Sequence, residues 1–198
     1  MVRDITKLVI NLPDRVQRLH NFKQEALYLW PKEDGCFVIP GIRDDRPERG
    51  IAKAHHECIK FAKERGLDKV LIMEDDVVFP GKEKTIPYME EAFKKLPENW
   101  DIIIGGVYYL RNEVKVNNYW RRIGEFCALH WYIVNEKAYD KLLTFDYVGH
   151  YDRWMGKQGL NIYLPRRFWA IQRDGYSDNA KRETDYNLTR LKQFEILR

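Results

Sequence analysis

Long apolar runs are missing from this sequence. Its uninterrupted apolar stretches are only a few residues long, far short of the ~20 that a membrane-spanning helix needs. The opening stretch, Met1 to Leu12, is broken by charge and has no apolar h-region, so no secretory signal is expected. Cysteine is scarce and odd in number. Cys36, Cys58 and Cys127 lie far apart, which excludes a disulfide framework and suits free thiols in a reducing, cytoplasmic setting. Charge of one sign is also lacking. Thirty-four Lys and Arg against 30 Asp and Glu leave a formal charge of +4, too mild for a dedicated nucleic-acid-binding module. There is no internal repeat, low-complexity segment or evident interdomain linker. No GxGxxG or GxxxxGK[ST] loop supports a dinucleotide enzyme or a P-loop kinase. No HExxH and no G-x-S-x-G is present, and the adjacent His55-His56 pair cannot act as an i, i+4 zinc pair.

What is present is an ordinary globular composition, 44% hydrophobic and 32% charged over 198 residues, which sets the expectation of one domain with a real core. Aromatic residues are generous at 14%. The pattern alternates between strand and helix. Lys7 to Leu12 reads as a buried strand stopped by Pro13-Asp14, and Arg15 to Leu29 as an amphipathic helix. Cys36 to Ile39 reads as a second strand. The polar stretch Gly41 to Gly50 reads as a loop, and Ile51 to Arg65 as a helix stopped by Gly66. On that helix His55 and Cys58 lie on the apolar stripe with Ile51, and His56 is rotated outward. Cys58 is read as core. Lys69 to Phe79 is the strongest strand, followed by a helix near Pro87 to Lys95 and a strand near Trp100 to Gly106. Phe126 to Val134 reads as a strand, with Asn135 capping a helix over Glu136 to Leu143. Tyr151 to Lys157 reads as a short helix and Asn161 to Leu164 as a strand. After Pro165 the pattern weakens into a polar tail. The fold class expected is α/β, a single-domain Rossmann-like arrangement with a mostly parallel central sheet flanked by helices.

The segment Glu74-Asp75-Asp76 carries the most chemical information. Strand alternation puts Glu74 and Asp76 on one face and turns Asp75 away. An apolar strand ending in carboxylates places them at the sheet's carboxyl edge, where open α/β sheets bind ligands. Burying three acids requires a counter-charge. Mg²⁺ or Mn²⁺ holding a diphosphate would supply it. Salt bridges to Lys or Arg at a solvated strand end would do so equally well. Arg15 and Arg18, just past the first strand, can face a phosphate or form an ordinary solvated helix face. His55 sits near a helix start, which disfavours its protonation.

Several pieces in order resemble the family 25 glycosyltransferases, which include bacterial lipooligosaccharide and procollagen galactosyltransferases. Ile10-Asn11-Leu12-Pro13-Asp14-Arg15-Val16-Gln17-Arg18 is similar to the family's INL-x-x-R-x-x-R opening. Gly50-Ile51-Ala52-Lys53-Ala54-His55 resembles its Gly-Cys-x-x-Ser-His element. Leu71-Ile72-Met73-Glu74-Asp75-Asp76-Val77 resembles its form of the DxD signature. His130-Trp131-Tyr132-Ile133-Val134-Asn135, Asp152-Arg153-Trp154, and Leu164-Pro165 with Gln172 and Ser177-Asp178 follow in the family's order. Ile51, Ala54 and Asn135 depart from the family's Cys, Ser and Ser, and the change at Ala54 removes a hydroxyl near His55.

The resemblance implies a GT-A fold, a nucleotide-sugar donor, Mn²⁺ or Mg²⁺, and transfer with inversion, with UDP-glucose or UDP-galactose as the favoured donor. It implies a donor-binding half over about 1–110, an acceptor side over about 111–180 and a basic tail over 181–198. Asp76 is then the expected metal ligand with Glu74. Asn11, Leu12, Arg15, Arg18, His55, Glu74 and Asp75 are expected around the donor. Asp152 is the expected general base, followed by Asp178 and His130. Trp154 is expected to give a sugar a face to pack on. The expected partners are a nucleotide sugar and a glycan acceptor, with no nucleic acid, in the making of a surface glycan. The tail leaves peripheral membrane contact open, and the sequence does not determine the oligomeric state. Two other readings stand beside this one: a non-catalytic nucleotide-sugar or glycan-binding module, and a metal-dependent phosphotransferase or nuclease.

Overall fold

The structure, a computed structural model, describes residues 4–31, 36–177, 181–185 and 194–197. Eight strands form one sheet: β1 Thr6–Asn11, β2 Cys36–Pro40, β3 Lys69–Glu74, β4 Ile102–Ile104, β5 Val114–Lys115, β6 Trp120–Ile123, β7 Trp131–Asn135 and β8 Ile162–Pro165. Their order across the sheet is β2-β1-β3-β7-β4-β8-β6-β5. β2, β1 and β3 run parallel, but β7 enters antiparallel to both β3 and β4. The sheet is mixed, which corrects the expectation of a mostly parallel one. The reason lies in the connection. Between β4 and β7 the chain forms no crossover helix; it runs out through a β-ribbon and returns, and a strand that returns without a crossover pairs antiparallel.

Alternating side chains build two cores, one on each face. Leu8, Ile72, Ile102, Tyr132 and Val134 face helix α2, Pro47–Glu64, through its Ala52, Cys58, Ile59 and Ala62. Val9, Leu71, Met73, Ile103, Trp131 and Ile133 face α1, Val16–Ala26, and α3, Thr85–Phe93, with Trp120 and Trp169. Val70 to Met73 are fully buried because helices cover both sides of β3. α2 begins at Pro47, inside the stretch expected to be loop, because proline suits the first helical position. Its buried face is broader than the expected stripe. His56 is buried and Ile51 is exposed, a correction for both.

Two other expectations change. The strand expected over Lys69 to Phe79 breaks at a turn over Asp75-Asp76, and Val77–Val78 pairs separately with Ile171–Gln172. The stretch after Pro165 is not merely tail, because Phe168, Trp169 and Ala170 are fully buried. They can cross the sheet end because Gly105 and Gly106 have no Cβ. A Cβ at Gly106 would sit 2.2 Å from the Ala170 carbonyl oxygen. Asn135 does cap the following turn by accepting from the Lys137 N–H at 3.2 Å. Two short helices complete the frame, α4 Tyr139–Leu142 and α5 Tyr151–Met155. Among the described residues no helix is long and apolar enough to cross a membrane.

Candidate active site

A cleft of about 770 Å³ opens at the carboxyl ends of β1, β2 and β3, the edge where α/β sheets bind ligands. One wall of the cleft depends on a glycine. A Cβ on Gly50 would sit 2.3 Å from the Ile42 carbonyl oxygen, so only glycine lets the segment after β2 lie on α2. Asp44 in that segment is then held by Arg49 Nε and Lys53 Nζ at 2.7 and 2.9 Å. These partners hold its carboxyl well below the usual range.

The three consecutive acids all line this cleft. The expectation that Asp75 turns away fails because β3 ends at Glu74 and alternation stops there. Glu74 Oε1 lies 3.2 Å from His55 Nε2, and His55 Nδ1 lies 2.9 Å from the Tyr132 hydroxyl. A carboxylate only accepts, so Nε2 carries the proton and Tyr132 donates to Nδ1. Burial raises the Tyr132 phenol well above its ordinary value, which keeps that donor protonated. Burial alone would raise Glu74 too, but the hydrogen bond from His55 outweighs it and the net shift is downward.

Asp75 Oδ2 accepts from Asn11 Nδ2 at 2.6 Å, and its Oδ1 lies 2.8 Å from Arg18 Nη2. Asn11 also donates to the Arg15 carbonyl at 3.2 Å, which ties the end of β1 to the acid turn from behind. Asp76 Oδ2 accepts from the same Arg18 Nη2 at 2.5 Å and from Gln172 Nε2 at 2.7 Å. Its Oδ1 is buried and accepts no hydrogen bond. Burial, then the charge of Glu74, raises the Asp76 carboxyl to about 7 against the pull of Arg18 and Gln172. The counter-charge that the sequence left open between metal and arginine is supplied here by Arg18.

Asp152 lines the same cleft from α5. Its Oδ2 accepts from the Ala128 N–H at 3.0 Å and its Oδ1 from the Arg153 N–H at 2.7 Å. Ala128 holds a φ of +131°, a region that essentially only glycine adopts without cost. Leu12, Arg15, Arg18 and His55 also line the cleft. His130 is buried and lies outside the lining. Its Nε2 donates to the Ala170 carbonyl at 3.2 Å, burial depresses its pKa, and its own carbonyl holds the Glu74 N–H at 3.1 Å. Asp178 falls outside the described residues. Trp154 packs against Tyr151 and Phe145 instead of lining the cleft. Cys58 is buried, which raises its thiol well above the ordinary value and suits a core role.

Gln172 escaped the sequence reading as a site residue, although the resemblance had marked its position. Arg173, Lys181 and Arg182 were missed as well. They line the cleft because Gly175–Ser177 and Arg182–Thr184 form a ribbon beside it. Among the described residues no group of three or more His, Cys, Asp or Glu side chains is arranged to hold a metal by itself. A cation here would take the bare Asp76 Oδ1 and complete its shell with substrate oxygens and water, a set that suits Mg²⁺ or Mn²⁺.

No protein-family model matches the chain, and no curated protein matches it. Solved structures do. A197 from STIV superposes with a TM-score of 0.53 at 13% identity, over 89% of this chain and 91% of its own. An Asp-to-Asn mutant of Drosophila β1,4-galactosyltransferase 7 in complex with manganese, UDP-Gal and xylobiose gives 0.52 at 10% identity, over 97% and 80%. The catalytic domain of that enzyme with xylobiose gives 0.50 at 14% identity, over 81% of this chain and 64% of that one. At these identities the likenesses show the fold alone, an α/β fold with a central sheet flanked by helices that is broadly GT-A-like, and they do not single out family 25.

Proposed function

We propose that the cleft binds a nucleoside-diphosphate sugar and transfers its hexose to an acceptor hydroxyl with inversion. The observation that carries this reading is the convergence of Glu74, Asp75, Asp76, Arg15 and Arg18 at the strand ends, with Asp152 on the same cleft. UDP-glucose or UDP-galactose is the donor class. The structural relative that holds manganese and UDP-Gal shares this fold and supports the choice. When bound, a divalent cation stabilises charge on the departing diphosphate. Asp76, with Glu74 beside it, would hold that cation.

The chain's own residues do the rest. Arg15 and Arg18 present guanidinium groups to phosphate oxygens near the N-terminus of α1. Asn11 keeps Asp75 in place, and Leu12 packs at the same edge. His55 orients Glu74 through a proton on Nε2 that Tyr132 enforces. Asp152 accepts the acceptor's proton as the hydroxyl oxygen bonds to the anomeric carbon. The bond from that carbon to the diphosphate oxygen breaks, and the diphosphate leaves with the electron pair. Two backbone N–H groups fix the Asp152 carboxylate and still leave it lone pairs for that proton. His130, buried behind Glu74, stands outside this step.

The test is incubation with Mn²⁺ and a panel of nucleotide sugars. Release of UDP, with free sugar or a glycosylated acceptor, is the expected result. Donor binding with no release under any acceptor would favour the non-catalytic module. Inorganic phosphate or cut nucleic acid would favour phosphoryl chemistry.

A further inference from the structure

The loop that leads into Asp152 is strained at Tyr147, whose φ is +63°. That left-handed conformation is an outlier for a bulky side chain. Gly149 follows at a φ of +82°, with nothing within 4 Å of where a Cβ would stand, so glycine serves conformation there and not space. Val148, Gly149 and His150 are exposed, and this span is therefore fixed at its two ends. Tyr151 holds one end. It is buried, and its hydroxyl donates to the Leu142 carbonyl at 3.3 Å. Tyr147 holds the other. Its hydroxyl lies 2.8 Å from His56 Nδ1, its carbonyl accepts from Arg46 Nη2 at 3.3 Å, and its ring lies 4.9 Å from the His56 ring. Arg46 stands just before α2 and His56 stands on it, so α2 grips this one residue by both side chain and backbone.

We propose that Tyr147 is a positioning residue: held by α2, it aims Asp152 into the cleft. This rests on the reading of Asp152 as the base of a nucleotide-sugar transferase. α5 is five residues long, too short to hold its own shape. Its far end is packed, with Met155 fully buried and Trp154 stacked on Tyr151. Asp152 lies in its first turn, where the direction of the entering chain decides where the carboxylate points. The Ala128 N–H fixes one carboxylate oxygen, but only when α5 delivers that oxygen to it. Strained backbone persists only where its surroundings enforce it, and it gathers at functional segments. Here the bonds to His56 and Arg46 enforce it. Released from them, Tyr147 would relax toward an ordinary φ, and the start of α5 would shift with it. The donor side would stay in place, because the neighbouring His55 holds Glu74 independently of the loop.

The experiment is steady-state release of UDP from UDP-galactose and UDP-glucose with Mn²⁺, water serving as the attacking hydroxyl. Tyr147→Phe keeps the ring and removes the hydroxyl. It should lower kcat about 10-fold and leave KM for the donor within about 2-fold of wild type. Tyr139→Phe is the control for a purely structural loss. Its hydroxyl donates to the Leu67 carbonyl at 3.1 Å, and Tyr139 lies outside the cleft lining. It should lower the melting temperature by a similar amount and keep kcat within about 2-fold of wild type. In an Asp152→Asn background, Tyr147→Phe should change kcat by less than about 2-fold, because no base is left to aim. Should Tyr147→Phe fail to fold, Arg46→Met at the exposed Arg46 carries the test, with kcat lowered about 3-fold and KM for the donor unchanged. Three results overturn the positioning role and leave the nucleotide-sugar reading standing: an unchanged kcat in Tyr147→Phe or its substitute, an equal fall of kcat in Tyr139→Phe, or a loss that multiplies in full with that of Asp152→Asn. A wild-type chain that releases no UDP from either sugar overturns both.

Discussion

The two sides of the cleft are built differently. On the proposed donor side, side chains from regular elements hold one another. β1 brings Asn11, α1 brings Arg18, α2 brings His55 and β3 ends in Glu74, and each acid has a side-chain partner. On the proposed acceptor side one carboxylate, Asp152, is held by two backbone N–H groups, and one of them belongs to the strained Ala128. Behind it α2 meets a loop through His56, whose Nδ1 lies 2.8 Å from the Tyr147 hydroxyl among Phe145 and Tyr151. The proposed donor side is a network of paired charges and hydrogen bonds between side chains. The proposed acceptor side is a positional clamp, whose geometry depends on backbone that would prefer another conformation.

The sharpest way to break the comparison is to remove a charge on one side and leave the other intact. Asp76→Asn should lower turnover on the order of 10³-fold, with a weaker response to Mn²⁺ and an unchanged melting temperature. Near-normal turnover at saturating Mn²⁺ would remove Asp76 from the donor machinery. Asp152→Asn should cost roughly 10²–10³-fold in kcat, with donor and Mn²⁺ affinity close to wild type. Loss of donor affinity without loss of kcat would move Asp152 to the donor side.

A pH titration separates the two sides by stability. Burial, the main cause, lowers the His56 pKa to about 4 in the folded chain, against an ordinary value of 6.5. Below pH 6.5 the unfolded chain takes up a proton that the folded chain refuses. The His56 contribution to stability is therefore complete above about pH 6.5 and is lost as the pH drops toward 4, by roughly 3 kcal/mol at most. Between denaturant melts at pH 7.5 and 4.5 the wild type should lose stability relative to His56→Gln, a difference from which the opposite contribution of the raised Asp76 carboxyl cancels. The same pH dependence in the variant as in the wild type would assign the acid sensitivity to other groups.

The smallest effect tests the clamp. Ala128→Gly admits the observed φ at no steric cost, so it should stabilise the fold by about 1 kcal/mol, a rise of roughly 2–4 °C in Tm. It should also loosen Asp152 and lower kcat a few-fold while KM for donor stays constant. A destabilised variant would show that Ala128 carries no strain worth relieving.

Much of this was legible in the chain itself, and the reason is locality. The strands over Lys7 to Leu12 and Lys69 to Glu74, the helix holding His55, and the acid triplet at a strand end all follow from periodicity and turn chemistry within a few residues. The cap at Asn135 and the stop at Gly66, whose φ is +61°, are equally local. Sequence order alone could not show that β7 returns antiparallel between β3 and β4, because it does not record where a chain without a crossover helix comes back. Nor could it show that His56 is buried, since the aromatic loop over it arrives 91 residues later.

The sequence by itself determined that three acids end a buried strand and must be neutralised, because carboxylates cannot be buried unpaired. Only the tertiary structure decided what neutralises them. Arg18 reaches Asp76 across 58 residues and Gln172 reaches it across 96. Contacts at such separations depend on which faces the folded sheet brings together, and nothing in the residues beside the acids encodes that choice.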